Sequence, residues 1–196
     1  SSDLFTQLHA GGKFDNDNYA FSGGLHGVGA SVTNALSEWL EVEVYKGTVF
    51  KMKFKSYYDE KKKKFLSGEP QGRLKDTGKE TTKKGTFIRF KPDATVFEES
   101  TEFDYGTILK RLEELAFLNK GVTLKLLDKK SGQEEEYCYA GGIKDFALYL
   151  NEGKGKLYHN PVYLSAEDKK IKMELAFQHT DNYTDNIISY VNNIPT

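Results

Sequence analysis

Apolar residues recur at intervals of three and four just after a glycine-rich stretch near the start of the chain. The members of this pattern are Val28, Val32, Ala35, Leu36 and Trp39, and their spacing predicts one face of a helix. Four glycines lie in the stretch "FSGGLHGVG" (21–29), which leads into that helix. Glycine permits positive φ and lets another group approach the main chain closely. A helix start also carries unpaired N–H groups and the positive end of the helix dipole, so the stretch is either an anion-binding turn or an ordinary glycine-rich turn.

The hydrophobic period then changes to two. The inward positions of two alternating runs are Leu40, Val42 and Val44 in the first, and Phe50, Met52 and Phe54 in the second. Glutamates alternate with the first run and lysines with the second, and "YKGT" (45–48) separates them. This pattern predicts a β-hairpin with opposite charges on its outer face. The following "YYDEKKKKFLSGEP" (57–70) is predicted to be a solvated hairpin tip, with contact to DNA as the alternative interpretation.

Strand and helix signals continue to alternate further along the chain. "KKGTFIRFKPD" (83–93) predicts a strand that ends at Pro92, and "YGTILKRLEELAFLN" (105–119) predicts an amphipathic helix. "GVTLKLLDKKSGQEEEYCYAGG" (121–142) predicts a strand, a Ser-Gly turn and a second strand. The fold class is therefore α+β with largely antiparallel sheet.

The last third of the chain follows the pair Gly141-Gly142, which we predict to be a domain boundary separating residues 1–140 from 141–196. A short helix is predicted from Ile143 to Leu150. "NIISYVNNI" (186–194) predicts one strand. Another strand is predicted in "KIKMELAFQH", with its inward side chains at Ile171, Met173, Leu175 and Phe177.

Composition narrows the functional classes. The 28 basic and 29 acidic residues nearly balance, which excludes a wholly basic nucleic-acid module. The single cysteine, Cys138, cannot form an internal disulfide, so the sequence fits a reducing compartment and predicts a cytoplasmic protein. No apolar run approaches the roughly 20 residues that span a membrane. The histidines away from the glycine stretch lack metal-ligand spacing with one another or with Cys138, so we predict no metal ligands in this chain.

Several long motifs in sequence carry a family resemblance. "LHAGGKF" (8–14), "YAFSGGLHGVGASVTNALS" (19–37) and "KKGTFIRFKPD" occur in that order, and "YAGGIKDFALYLN" (139–151) follows them. The chain resembles the ATPase region of the family that comprises the B subunit of bacterial DNA gyrase and the E subunit of topoisomerase IV. The resemblance implies part of a Bergerat-type (GHKL) ATPase α/β sandwich in residues 1–140. It also implies the start of a ribosomal-protein-S5-like transducer domain in 141–196.

The resemblance also implies an ATP site. Gly12 and Lys13 would lie in a lid near the phosphates, and Tyr19 would reach the adenine region. The residues that would wrap the triphosphate are Leu25, His26, Gly27, Val28 and Gly29. Thr86 would join the network that recognises adenine. An exposed lysine, a packed loop histidine and an ordinary strand threonine are the alternatives for Lys13, His26 and Thr86.

Other parts of the family's machinery have no counterpart in these motifs. The general-base glutamate and the asparagine that binds Mg²⁺ belong to family segments that precede "LHAGGKF". We therefore expect no catalytic residue in this chain, and negligible ATP hydrolysis by the chain alone.

For the whole protein, the resemblance implies ATP-driven strand passage and negative supercoiling of DNA. It implies dimerisation of the ATPase regions on ATP binding and, for gyrase, an A2B2 heterotetramer with the gyrase A protein. Topoisomerase IV and a non-catalytic module that keeps the fold are the alternatives.

Overall fold

The computed structural model describes residues 3–7, 28–168 and 171–196, which fall into two compact units. The described residues up to Glu102 form the first unit, and those from Phe103 onward form the second. The boundary at Gly141-Gly142 lies inside the second unit and stays a prediction. No helix in the described part of the chain is long and apolar enough to cross a membrane.

The first unit holds two short helices and one antiparallel sheet. Its elements are α1 (Asp3–Thr6), α2 (Gly29–Ala35), β1 (Ser37–Asp59), β2 (Lys64–Pro70) and β3 (Lys75–Pro92). The sheet order is β2-β1-β3, and both strand pairs are antiparallel.

The second unit alternates helices with two-stranded ribbons. Its elements are α3 (Tyr105–Leu118), β4 (Leu124–Leu127), β5 (Glu134–Tyr137), α4 (Ile143–Leu150), β6 (Val162–Asp168), β7 (Ile171–Phe177), β8 (Tyr190–Val191) and β9 (Ile194–Pro195). The pairs β4–β5, β6–β7 and β8–β9 are each antiparallel. The predicted α+β class is confirmed.

The long element β1 folds back on itself at Gly47, whose φ is +75°. Lys51 Nζ lies 2.6 Å from Glu43 Oε1, although eight residues of extended chain span about 26 Å. Lys53 Nζ likewise lies 2.6 Å from Glu41 Oε1. The predicted hairpin, with opposite charges on its outer face, is therefore confirmed.

The core of the first unit lies on the other face of this hairpin. It consists of Leu40, Val42, Met52 and Phe54, with Phe5 and Val44 packed against it. The rings of Phe5 and Phe54 have centroids 5.4 Å apart, so α1 contributes directly to the core. Alternating apolar residues of both hairpin arms thus share one buried face, as the period of two predicts. Phe50 is the exception: it is only half-buried and Val49 is buried instead, because the pairing register with β3 shifts between Thr48 and Phe50.

Helix α2 is shorter than predicted and buries a different face. It ends at Ala35, and Trp39 belongs to β1. Val32, on the predicted apolar face, is 43% exposed, whereas Ser31 and Asn34 are buried. The physical reason is hydrogen bonding: Asn34 Nδ2 donates to the carbonyls of Phe5 (2.9 Å) and Gly68 (2.8 Å), so α2 must turn its polar side inward.

Two predictions for the second unit are also wrong in detail. The strand β7 exists, but its predicted inward side chains are exposed, with Ile171 at 71% and Met173 at 58%. Alternation groups side chains on one face, and no described element covers that face along its length. The segment 186–194 holds β8 and part of β9 rather than one strand, because Asn192 and Asn193 adopt φ of 51° and 68° and form a tight turn.

Gly68→Ala should destabilise the protein more than the matched change Gly78→Ala. Both glycines have positive φ, +61° and +69°, so each substitution carries backbone strain. A Cβ at Gly68 would also lie 2.4 Å from Asn34 Nδ2, whereas a Cβ at Gly78 meets no atom within 4 Å. We expect the unfolding free energy to fall by about 3 kcal/mol and about 1 kcal/mol respectively, measured by urea denaturation.

A double-mutant cycle isolates the contact with Asn34. In an Asn34→Ala background the added methyl group has room, so Gly68→Ala should cost about as much as Gly78→Ala. Equal costs for the two glycines in the unsubstituted protein would contradict the proposed contact.

Candidate site at the start of helix α2

The first turn of α2 presents backbone donors without a side-chain cap. Val28 occupies the N-cap position, and no side chain caps the helix there. The first intrahelical bond runs from the Val32 N–H to the Val28 carbonyl at 2.8 Å. The N–H groups of Gly29, Ala30 and Ser31 precede this bond, so they have no acceptor inside the helix. Donors of this kind suit an anionic ligand.

Gly29 provides open space at this helix start. It is the first residue of α2 and does not have a positive φ. The backbone conformation at position 29 therefore does not require glycine. A Cβ added to Gly29 would meet no described atom within 4 Å. The glycine therefore leaves the main chain open to close approach from outside, which is the other property that glycine supplies.

Thr86 lies on β3 opposite Val44, and it is exposed. Gly85 precedes it with φ of +134°. Among the described residues, no hydrogen bond joins Thr86 to Val28 or Gly29. Helix α2 and strand β3 are joined instead at their C-terminal ends, where the Asp93 N–H donates to the Leu36 carbonyl at 3.0 Å.

The other predicted ATP-site positions lie outside the described residues. They are Gly12, Lys13, Tyr19, Leu25, His26 and Gly27. Within residues 3–7, 28–168 and 171–196 no group of three or more His, Cys, Asp or Glu side chains is arranged to hold a metal ion.

A charge network covers the outer face of the β1 hairpin and continues onto β3. Glu41 binds both Arg89 and Lys53, and the hydrogen bond from Arg89 is the main reason that the pKa of this carboxyl is lowered. Lys51 lowers the pKa of Glu43 in the same way, with a further hydrogen bond from the Tyr45 hydroxyl at 2.7 Å. These pairs connect the two arms of the hairpin, and both Glu41 and Glu43 are engaged in them.

A second polar cluster surrounds α3, and sequence reasoning missed it. The carboxylate of Glu114 accepts hydrogen bonds from Arg111 and from the Tyr190 hydroxyl. Arg111 Nη2 also donates to the Asn193 carbonyl at 2.8 Å, and Asn193 Nδ2 donates to Asn119 Oδ1 at 3.0 Å. These bonds attach the β8–β9 hairpin to α3.

The neighbouring glutamate, Glu113, binds two other tyrosines. The hydroxyl of Tyr139 donates to it at 3.1 Å, and that of Tyr149 donates at 3.2 Å. Burial of Tyr139, together with its hydrogen bond to Glu113, raises the pKa of the Tyr139 phenol. The adjacent pair Glu113-Glu114 on this amphipathic helix is the sequence signal that could have indicated both clusters.

The chain resembles known proteins along nearly its whole length. Residues 142–196 match the family model described as DNA gyrase B. Over 98% of the chain, 46% of the residues are identical to the B subunit of DNA topoisomerase 4 from Staphylococcus aureus strains Mu50 and N315. The chain is thus similar to the gyrase B/topoisomerase IV B family. It spans 28% of the length of those curated relatives.

Solved structures of gyrase B share the fold. The 43K ATPase domain of Thermus thermophilus gyrase B, solved in complex with an aminocoumarin, aligns with 99% of this chain and 46% of its own, with a TM-score of 0.78 and 34% identity. The B subunit of Myxococcus xanthus gyrase aligns with 85% of this chain and 46% of its own, with a TM-score of 0.73 and 24% identity. The predicted partial GHKL fold is therefore confirmed.

Tyr190 should make stability depend on pH in the alkaline range. Burial and the hydrogen bond to Glu114 raise the pKa of Tyr190 to about 12, from its ordinary value of 10.0. Because the folded state favours the neutral phenol, this stabilisation is complete below pH 10 and is lost as the pH rises to about 12. We expect Tyr190→Phe to reduce the slope of unfolding free energy against pH in this window, measured by urea denaturation.

Tyr183 supplies the control for this measurement, because its side chain is fully exposed. Tyr183→Phe removes one phenol from the same unit and should leave the slope unchanged. Identical slopes for the Tyr190→Phe and Tyr183→Phe variants would contradict the role assigned to the Glu114 hydrogen bond.

Proposed function

We propose that this chain is part of the nucleotide-binding region of the B subunit of a bacterial type II DNA topoisomerase. In that role ATP binding and hydrolysis drive the passage of one DNA segment through another. The main support is the likeness to a gyrase B ATPase domain over 99% of the chain at a TM-score of 0.78. The uncapped start of α2, within the motif "GGLHGVG", supports a phosphate-binding role for this segment.

In the proposed ATP site, main-chain groups hold the phosphates. The N–H groups of Gly27, Val28 and Gly29 would donate to phosphate oxygens, because the helix dipole and the open space at Gly29 favour an anion there. Leu25 and His26 would complete the wrap around the triphosphate. Gly12 and Lys13 would act from the lid.

The adenine end of the nucleotide would be contacted by Tyr19 and Thr86. The exposed hydroxyl of Thr86 on β3 is available for a hydrogen bond to a bound molecule. Binding would thus use residues that are widely separated in the sequence and that project from the lid, the start of α2 and β3.

Magnesium would accompany ATP and neutralise phosphate charge during hydrolysis. The residues described around α2 are N–H donors, which suit phosphate oxygens and do not fit a cation. The described residues around α2 supply neither a magnesium ligand nor a general base, so no hydrolytic step is assigned to them. What this chain would contribute is nucleotide binding and orientation.

Two branches of the family remain candidates for the whole enzyme. Gyrase, which would introduce negative supercoils with the gyrase A protein in an A2B2 heterotetramer, is supported by the family model and the solved structures. Topoisomerase IV is supported by the 46% identity to curated relatives of that name. In both cases DNA is the substrate, and ATP binding would close two B subunits into a gate.

Reconstitution of the full-length protein with its A-type partner tests both the function and the branch. ATP-dependent negative supercoiling of a relaxed plasmid would assign the protein to gyrase. ATP-dependent decatenation without supercoiling would assign it to topoisomerase IV. No ATP-dependent change in DNA topology, with both proteins folded, would leave the non-catalytic module as the function.

Gly29→Val tests the phosphate site directly. The side chain would fill the open space beside the first-turn N–H groups, so we expect at least about a 100-fold loss of ATP affinity in the full-length protein, or about 2.7 kcal/mol. His26→Ala should weaken ATP binding less, because most of the donors are main-chain groups. Isothermal titration gives the affinity, and a melting curve for each variant shows that it is folded.

Gly106→Val is the matched control for this substitution. Gly106 also lies in the first turn of a helix, α3, without a positive φ, and an added Cβ comes no closer than 3.7 Å to Asp104 Oδ1. This variant should bind ATP normally. A folded Gly29→Val variant with unchanged ATP affinity would refute the phosphate site.

A further inference from the structure

The turn between β1 and β2 concentrates positive charge at an exposed tip. We call residues 59–64, Asp59-Glu60-Lys61-Lys62-Lys63-Lys64, the lysine tip. Asp59 Oδ1 accepts the N–H groups of Lys61 (2.9 Å) and Lys62 (3.1 Å), which closes the turn. All four lysines are exposed. Of these four lysines, only Lys62 forms an ion pair with a described residue, and that pair is long, at 3.9 Å from Lys62 Nζ to Asp59 Oδ2.

An exposed aromatic pair lies directly below the lysine tip. Tyr58 and Phe65 are cross-strand partners on β1 and β2, and their side chains are 53% and 47% exposed. The buried positions on the same face of β1 are Phe54 and Ser56, so the apolar core ends before Tyr58. About half of each ring is buried and supports the hairpin as a cross-strand pair, and the exposed half of each ring remains open to a bound molecule.

The β4–β5 turn shows that an aspartate-closed hairpin needs no lysine run. Asp128 Oδ1 accepts the Lys130 N–H at 2.8 Å, in the same manner as Asp59. The segment 128–136 nevertheless carries two lysines against four carboxylates, whereas the lysine tip carries four lysines against two. The two turns share their backbone construction and differ in the sign of their charge.

We propose that the lysine tip and the Tyr58–Phe65 pair form a contact surface for the DNA backbone. Lysine is a point charge without the planar fork of arginine, so it suits neutralisation of phosphates and not recognition of base edges. The aromatic faces would pack against sugars or bases, as aromatic side chains do in other sequence-tolerant nucleic-acid surfaces. The choice of DNA over other polyanions rests on the proposed function.

Salt dependence measures the phosphate contacts. The affinity of the full-length protein for a short fluorescent DNA duplex would be measured by anisotropy across a range of salt concentrations. Each neutralised phosphate contributes about 0.9 to the slope of log affinity against log salt. Lys61→Gln with Lys63→Gln should therefore reduce the slope by about 2. The ratio of wild-type to variant affinity should fall about tenfold between about 50 and about 200 mM salt.

Lys129→Gln with Lys130→Gln in the β4–β5 turn is the matched control. It removes the same charge from a turn of the same construction and should leave the slope unchanged. Phe65→Thr preserves strand preference but removes the aromatic ring, so it should lower affinity without changing the slope. Equal slopes for the two lysine variants would overturn the proposal, and so would binding to phosphatidylserine vesicles with no binding to the duplex.

Failure of the proposed topoisomerase function and failure of the DNA contact would give different experimental results. The lysine tip includes none of the residues assigned to ATP, so we expect its variants to bind ATP with unchanged affinity. A changed salt slope in a protein that produces no ATP-dependent change in DNA topology would retain the DNA contact and refute the topoisomerase. Normal topoisomerase activity with equal slopes would retain the enzyme and refute the contact.

Discussion

The amide of Asn34 is the interaction on which the first unit depends. A short helix and a sheet edge each leave main-chain groups without partners, and burial of such groups is costly unless they are hydrogen-bonded. Asn34 Nδ2 pairs with the carbonyls of Phe5 and Gly68, and so joins α1, α2 and β2 at one point. Ser56 continues the connection, because its hydroxyl accepts the Gly68 N–H at 3.0 Å and donates to the Ser37 carbonyl at 2.7 Å. The apolar core of the hairpin can close only where this polar junction positions the helices.

The same junction explains which sequence predictions were right. The alternation in the two arms of the β1 hairpin reports burial of one face directly, and the structure buries Leu40, Val42, Met52 and Phe54. Next to the turn the alternation fails, because Val49 is buried and Phe50 is not. The buried face of α2 could not be found in this way, because it is selected by acceptors at Phe5 and Gly68, which are 29 and 34 residues from Asn34. For β7 the period indicated which side chains share a face, but it could not indicate whether another layer covers them.

The candidate site and the clusters on α3 also differ in whether the sequence could predict them. The motif around Val28 and Gly29 and the position of Thr86 followed from resemblance to a family, since a glycine-rich helix start alone does not distinguish a phosphate site from an ordinary turn. The tyrosine clusters on α3 escaped prediction because their members are distant in sequence. Tyr139 lies 26 residues from Glu113, and Tyr190 lies 76 residues from Glu114. Only the fold brings a carboxylate and a phenol together across such separations.

The reversal of the chain at Gly47, within β1, also affects the order in which the strands of the sheet can pair. The ion pair between Glu41 and Lys53 closes a loop of 12 residues, whereas the pairing of Ser37 with Pro92 closes one of 55 residues. Loop-closure entropy makes the longer connection more costly by about 1.4 kcal/mol. We therefore expect the hairpin to form before β3 pairs with β1 as far as Ser37. Thr86 pairs with Val44 in this later part of the ladder, so we expect its side of the candidate nucleotide site to be completed only after the hairpin exists.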